Sequence, residues 1–168
     1  MYIIFLILFI LIASTAYAAN SGAPWVPTKK KDIERFLNFV DLKPGEKFYE
    51  LGCGDARLAI AAAKKFGVKA VGVELSIPQA VVAFIRNRLV KTEVKIKWAN
   101  LFKVNLSDAD FVYMFLMPET YAKIKSKLER ELKPGAVVVS YVWPVVGWEA
   151  EKVLHEEGRL DIFLYRIK

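Results

Sequence analysis

Residues 2–13, YIIFLILFILIA, form an unbroken apolar run, and no charged side chain occurs before Lys29. Met1 to Ala19 is thus an apolar or small-residue stretch long enough to cross a bilayer as a helix. Beyond it the pattern changes character. NSGAPWVPT (20–28) carries turn-forming residues and reads as a linker. Ile33, Phe36, Leu37 and Val40 then fall on one face of a helix over 29–40, with Thr28 as its N-cap. FYEL reads as a short buried strand, and DARLAIAAAKKFG as a helix capped by Asp55 and stopped by Gly67.

The alternation continues to the end of the chain. KAVGVEL (69–75) is a strand, and Ser76 with Pro78 opens a helix to about Val90. VKIKWAN (94–100) and DFVYMFLM (110–117) are strands. A helix over 119–132 aligns Tyr121, Ile124, Leu128 and Leu132, and AVVVSYV (136–142) is a β-branched run suited to burial on both faces. Residues 149–157 and 159–167 read as two strands or a helix–strand pair turning at Gly158. Strands alternating with helices imply an α/β fold: a doubly wound, Rossmann-like, mostly parallel sheet, here preceded by an apolar helix. Its parts are an anchor helix over 1–19, a linker and leading helix over 20–40, and one domain over 41–168.

The composition refines this picture in two places. The formal net charge is +7, all of it carried beyond residue 28, so the surface suits anionic lipid headgroups, nucleic acid or an acidic ligand. Cys53 is the single cysteine, so no intrachain disulfide forms. The first helix has two readings. Ala16-Tyr17-Ala18 satisfies a small-x-small cleavage pattern, yet no Lys or Arg precedes the apolar core as a secretory signal requires. Lys29, Lys30 and Lys31 follow it closely, which keeps that flank cytoplasmic if the helix is an uncleaved anchor.

The candidate chemistry centres on ELGCGDA (50–56). Gly52 and Gly54 at a strand-to-helix turn let a ligand approach the backbone, and the following helix directs free N–H groups at it. Glu74 closes the next strand 20 residues beyond Gly54, where a carboxylate accepts from the hydroxyls of a ribose. A nicotinamide or flavin site wants a third glycine at position 57, where this chain has Arg57. Glu50 also sits badly beside a pyrophosphate and well beside an ammonium group. S-adenosylmethionine carries such an ammonium.

ELGCGDA resembles the first motif of class I S-adenosylmethionine-dependent methyltransferases, an acid-x-Gly-x-Gly-x-Gly pattern in which Ala56 replaces the last glycine. VGVELS resembles the second motif and WANLF the third, with Asn100 where Asp is usual. The order PWVPT, ELGCGDAR, GVELS, FLMPET, KLERELKPGAVVVS and WPVVGW after an apolar helix is similar to a narrower family. That family comprises the membrane-anchored protein lysine methyltransferases of mitochondria, acting on the c-ring protein of ATP synthase and the adenine nucleotide translocase, with their prokaryotic relatives.

The resemblance implies S-adenosylmethionine as cofactor, contacted by Thr28, Glu50, Gly52, Cys53, Gly54, Asp55, Glu74, Leu75, Asn100 and Leu101. It implies a protein substrate presenting a lysine and a membrane held through the first helix; because S-adenosylmethionine is made in the cytosol, the catalytic domain is expected on the cytoplasmic side. Met117-Pro118-Glu119 stands where adenine- and glutamine-modifying enzymes carry an Asn/Asp-Pro-Pro-Tyr block. On the acceptor side Glu119 is placed to bond the amine, or to complement a helix dipole. Trp25, Trp143 and Tyr141 are placed to wall a lysine channel, or to serve as core and interfacial aromatics. His155, the one histidine, falls in the divergent tail, and no metal-ligand cluster is evident. Two other functions remain open: methylation of RNA or a small molecule, disfavoured by the anchor, and an exported binding module if the first helix is cleaved.

Overall fold

The computed structural model describes residues 1–168. Helix α1 (Tyr2–Ser21) and helix α2 (Lys30–Phe39) precede strand β1 (Lys47–Leu51). Helix α3 (Arg57–Phe66), strand β2 (Lys69–Glu74), helix α4 (Ile77–Val90) and strand β3 (Lys95–Trp98) follow. A 3-10 turn over Leu101–Lys103 leads to strand β4 (Phe111–Met114), helix α5 (Pro118–Glu131) and strand β5 (Val137–Tyr141). The tail is a pair of strands, β6 (Lys152–Leu154) and β7 (Ile162–Arg166). The seven strands form one sheet in the order β3-β2-β1-β4-β5-β7-β6. The pairings from β3 through β5 are parallel, and β7 is antiparallel to both of its neighbours.

The period-two geometry of strands sorts the core into two layers. Phe48, Phe111, Tyr113 and Val139 point to the face covered by α2 and α3. Tyr49, Leu51, Val112, Met114 and Val138 point to the other, against Tyr121, Ile124 and Leu128 of α5. The central strands β1 and β4 are buried almost throughout, as their near-continuous apolar composition requires. The sheet order reverses between β1 and β4, so the carboxyl ends of β1 and β2 border the crevice where doubly wound sheets hold ligands.

Two expected caps are not formed. Lys29 takes the N-cap position of α2 without a side-chain hydrogen bond, because Thr28 is turned inward against the ligand crevice. At α3 the N-cap is Ala56, and Asp55 is drawn away by two arginines described below.

Helix α1 is long and apolar enough to cross a membrane, with a mean hydropathy of 2.4. Its first half is fully exposed, whereas Leu11, Ser14, Thr15, Ala18 and Ala19 form a half-buried stripe at helical spacing. That stripe rests on the start of α4. The Ile77 N–H donates to Ser14 Oγ at 2.9 Å, and the hydroxyls of Thr15 and Ser76 lie 3.3 Å apart.

Candidate active site

The turn after β1 is built from residues that tolerate unusual backbone. Gly52 and Gly54 adopt φ of 74° and 55°. A Cβ on Gly52 would stand 2.8 Å from Leu116, and one on Gly54 2.7 Å from Trp25 Nε1, so neither position has room for a side chain. Ala56 is also left-handed, at φ 57°, and is fully buried. This is the position where the methyltransferase motif ordinarily has its third glycine, and the backbone explains that preference.

Glu50 is buried beneath the turn, and its Oε2 accepts from the Ala59 N–H at 2.8 Å, satisfying one of the free donors in the first turn of α3. No lysine or arginine forms an ion pair with it, and the charge of nearby Arg57, which is paired with Asp55, only partly favours its ionised form. Burial pushes its carboxyl up to about 8 against the dipolar help of the Ala59 N–H, and the charges of Asp55 and Glu74 add to the rise. Glu74 is also buried. Its carboxylate accepts from the Gly54 N–H at 2.8 Å, the Leu75 N–H at 2.9 Å and the Ser76 N–H at 2.7 Å. Burial raises its pKa, with those three donors opposing.

Asp55 is gripped by Arg57 through Nε and Nη2, at 2.8 and 2.6 Å, and by Arg86 of α4 at 2.8 Å. Burial alone would raise its pKa, but the paired guanidinium groups outweigh this and lower it. Arg57 Nη1 also donates to the Thr28 carbonyl, tying the segment before α2 to the turn. Asn100 Oδ1 accepts from the Phe102 N–H and so starts the 3-10 turn. Cys53 packs into the space above Gly72, whose absent Cβ would lie 2.8 Å from the sulfur. Burial holds that thiol well above its ordinary pKa.

Thr28, Glu50, Gly52, Cys53, Gly54, Asp55, Glu74, Leu75, Asn100 and Leu101 all line one cavity. Trp25 lines it too, with its indole against Gly54. Glu119, Trp143 and Tyr141 lie outside this lining. Glu119 is exposed in the first turn of α5. Trp143 is partly exposed just after β5, and Tyr141 is buried with its ring edge-on to Phe115.

Of the roof, sequence named only Trp25 and Thr28. Thr15, Ala18, Ala19 and Ser21 of α1, with Gly22–Thr28, complete the cavity. The Gly22 carbonyl anchors this roof by accepting from the Met117 N–H at 3.2 Å and from Thr120 Oγ1 at 2.6 Å. Arg57, Phe115 and Leu116 lie in the family motifs but had no assigned role, and Arg86 had no local signal at all.

The donors suit an S-adenosyl ligand. Glu50, buried with Arg57 committed to Asp55 rather than ion-paired to it, matches an ammonium group, Glu74 keeps acceptor capacity for hydroxyl donors, and the glycine turn exposes backbone beside both. This sheet order with this acid–Gly–x–Gly turn defines a class I S-adenosylmethionine-dependent methyltransferase.

Residues 50–152 match the ANTKMT methyltransferase domain. A protein-lysine N-methyltransferase of Saccharolobus islandicus is 40% identical over 86% of this chain and 93% of its own length. The adenine nucleotide translocase lysine N-methyltransferase of Mus musculus is 30% identical over 79% of this chain but only 58% of its own length. The chain belongs to the ANTKMT methyltransferase family, and its cofactor is S-adenosylmethionine. Among solved structures, an RNA methyltransferase from Salinibacter ruber bound to S-adenosyl-L-homocysteine superposes with a TM-score of 0.81 at 28% identity, over 84% of this chain and 94% of that one.

Proposed function

We propose that this chain methylates the side-chain amine of a lysine on a protein held in or against a membrane, with α1 as a single-pass anchor and the domain on the cytoplasmic side. One observation carries the reading: the cavity that suits the cofactor is roofed by the end of the membrane-length helix. Chemistry at the base of an anchor serves a target at the same surface. The lysine activities of the Saccharolobus islandicus and Mus musculus relatives support lysine as the acceptor.

When bound, the cofactor supplies an electrophilic methyl group on a sulfonium sulfur. The acceptor amine must arrive neutral and in line, so the chain has to strip it of water and its proton. Trp25, Val26, Phe115 and Leu116 give that part of the cavity an apolar wall, and desolvation lowers an amine's pKa. The face of Trp25 also attracts a cationic or methylated amine. Glu119 lies on the α5 turn bonded to the roof through Gly22, which makes it the carboxylate we assign to the entrance. Tyr141 supports this wall from behind through its contact with Phe115, and the half-exposed Trp143 follows it in the chain. Cofactor synthesis in the cytosol and the Lys29–Lys31 cluster both favour the cytoplasmic side.

Incubating source membranes with methyl-labelled cofactor and mapping the label by mass spectrometry tests this. Label on lysine of membrane-associated protein is the expected result, abolished by Glu74→Gln. The Salinibacter ruber neighbour favours RNA as a second acceptor. Label confined to RNA, with affinity falling steeply as salt rises, would refute the lysine assignment.

A further inference from the structure

The outward face of α4 is apolar where a surface helix of a soluble domain would carry charge. Val81, Val82, Phe84, Ile85 and Leu89 are all exposed, Leu89 by 77%. Trp98 of the edge strand β3 adds to the same side, 65% exposed. Cations punctuate it: Arg88 is exposed within the face, between Phe84 and Val81 at helical spacing, and Lys91 is exposed at the end of α4, whereas Lys97, over the Tyr49 ring, extends to the other side of the sheet. An apolar face carrying exposed cations suits a helix lying at the boundary of headgroups and acyl chains.

Helix α1 supplies the independent constraint. Twenty residues extend ~30 Å, the thickness of a bilayer's hydrocarbon core. Yet its half-buried stripe, from Leu11 onward, packs on the domain beside Pro78, so only about 15 Å stands clear. A helix docked in this way cannot cross the core while the domain stays in bulk water. Either α1 leaves the domain to span the core, breaking the Ser14–Ile77 and Thr15–Ser76 contacts, or it stays docked, its free half reaches into one leaflet, and the surface beside it enters the interface with it.

We infer that the outer face of α4, with Trp98, is a membrane-docking surface that seats the domain in the headgroup layer and presents the mouth of the cavity at lipid level. The inference rests on α1 being an anchor and adds a second contact, on the domain itself. Arg88 and Lys91 then meet anionic headgroups, and Trp98 takes the amphipathic rim position that indoles favour.

Single cysteines placed at Ile85, Leu89, Phe5 and, as an aqueous control, Asp41 are spin-labelled in the full chain, with Cys53 left buried and each variant checked by its thermal melt. The labelled protein is reconstituted into vesicles of phosphatidylcholine with or without phosphatidylglycerol. Expected are a shift of the Ile85 and Leu89 labels from nickel-chelate to oxygen accessibility, matching Phe5, and a larger shift with phosphatidylglycerol. Labels at Ile85 and Leu89 that stay accessible to nickel while Phe5 does not would overturn the docking face and leave the anchor standing. Shielding from both reagents with spin–spin broadening would show a second copy on this face instead. A Phe5 label in water would remove the anchor reading and this one together.

Discussion

Glu50→Gln separates the cost of a buried carboxyl from its use. In the unfolded chain this group releases its proton near 4.5, and in the fold near 8. At about 1.4 kcal/mol per pH unit, that rise corresponds to about 5 kcal/mol. The sign follows from which state holds the proton. Between the two values the folded chain binds it and the unfolded chain does not, so stability falls as pH rises from about 4.5 to about 8. Carboxylates paired with arginine, such as Asp55, act in the opposite direction. In nanodiscs without cofactor, the wild-type melting temperature should therefore decline from about pH 5 to pH 8. Glu50→Gln should flatten most of that decline, because the amide oxygen still accepts from the Ala59 N–H and no charge need form. Glu74, also raised by burial, leaves a residual slope.

Cofactor binding reverses the advantage. An ammonium beside Glu50 favours its ionised form, so binding near pH 7 should release close to one proton. Titration calorimetry in two buffers of different ionisation enthalpy reads that number directly. Glu50→Gln should release almost none from this site and bind S-adenosylmethionine at least tenfold more weakly, since the cation then loses its partner, worth about 1.4 kcal/mol or more. Wild-type binding without proton release, together with unchanged affinity in Glu50→Gln, would refute the placement of the ammonium.

Three further outcomes follow from the same geometry. Ala56→Gly relieves a left-handed alanine and should raise stability by about 1 kcal/mol, measured by denaturant melts; a loss would show that the turn relaxes around Ala56. Asp55→Asn removes the charge gripped by Arg57 and Arg86 and should destabilise the fold at neutral pH, with the gap to wild type in thermal melts narrowing as pH falls below the ordinary carboxylate range, because that stability is present above the ordinary carboxylate pKa and lost as pH falls through the lowered one. Glu74→Gln sets an amide among three backbone donors, leaving one unsatisfied at about 1–3 kcal/mol, and should abolish adenosyl binding while the far-ultraviolet spectrum stays native.

Sequence determined what depends on neighbours along the chain. Alternating apolar periods specified the strands and helices, and glycine spacing marked a turn where Gly52 and Gly54 take positive φ. The interval to Glu74 was legible because β1 and β2 lie side by side in register, Glu50 opposite Gly72. The tail resolved as two strands only through pairing of β7 with β5, a contact that joins distant segments. Tertiary structure alone decided the rest. Thr28 and Asp55 abandon their expected caps because the crevice and two arginines compete for them, and Arg86 reaches Asp55 from another helix. An apparent anchor and linker became the roof of the site, and the carboxyl of Glu50 acquired its proton affinity from burial. Desolvation and contacts across the fold set these outcomes, and no local pattern of side chains records either.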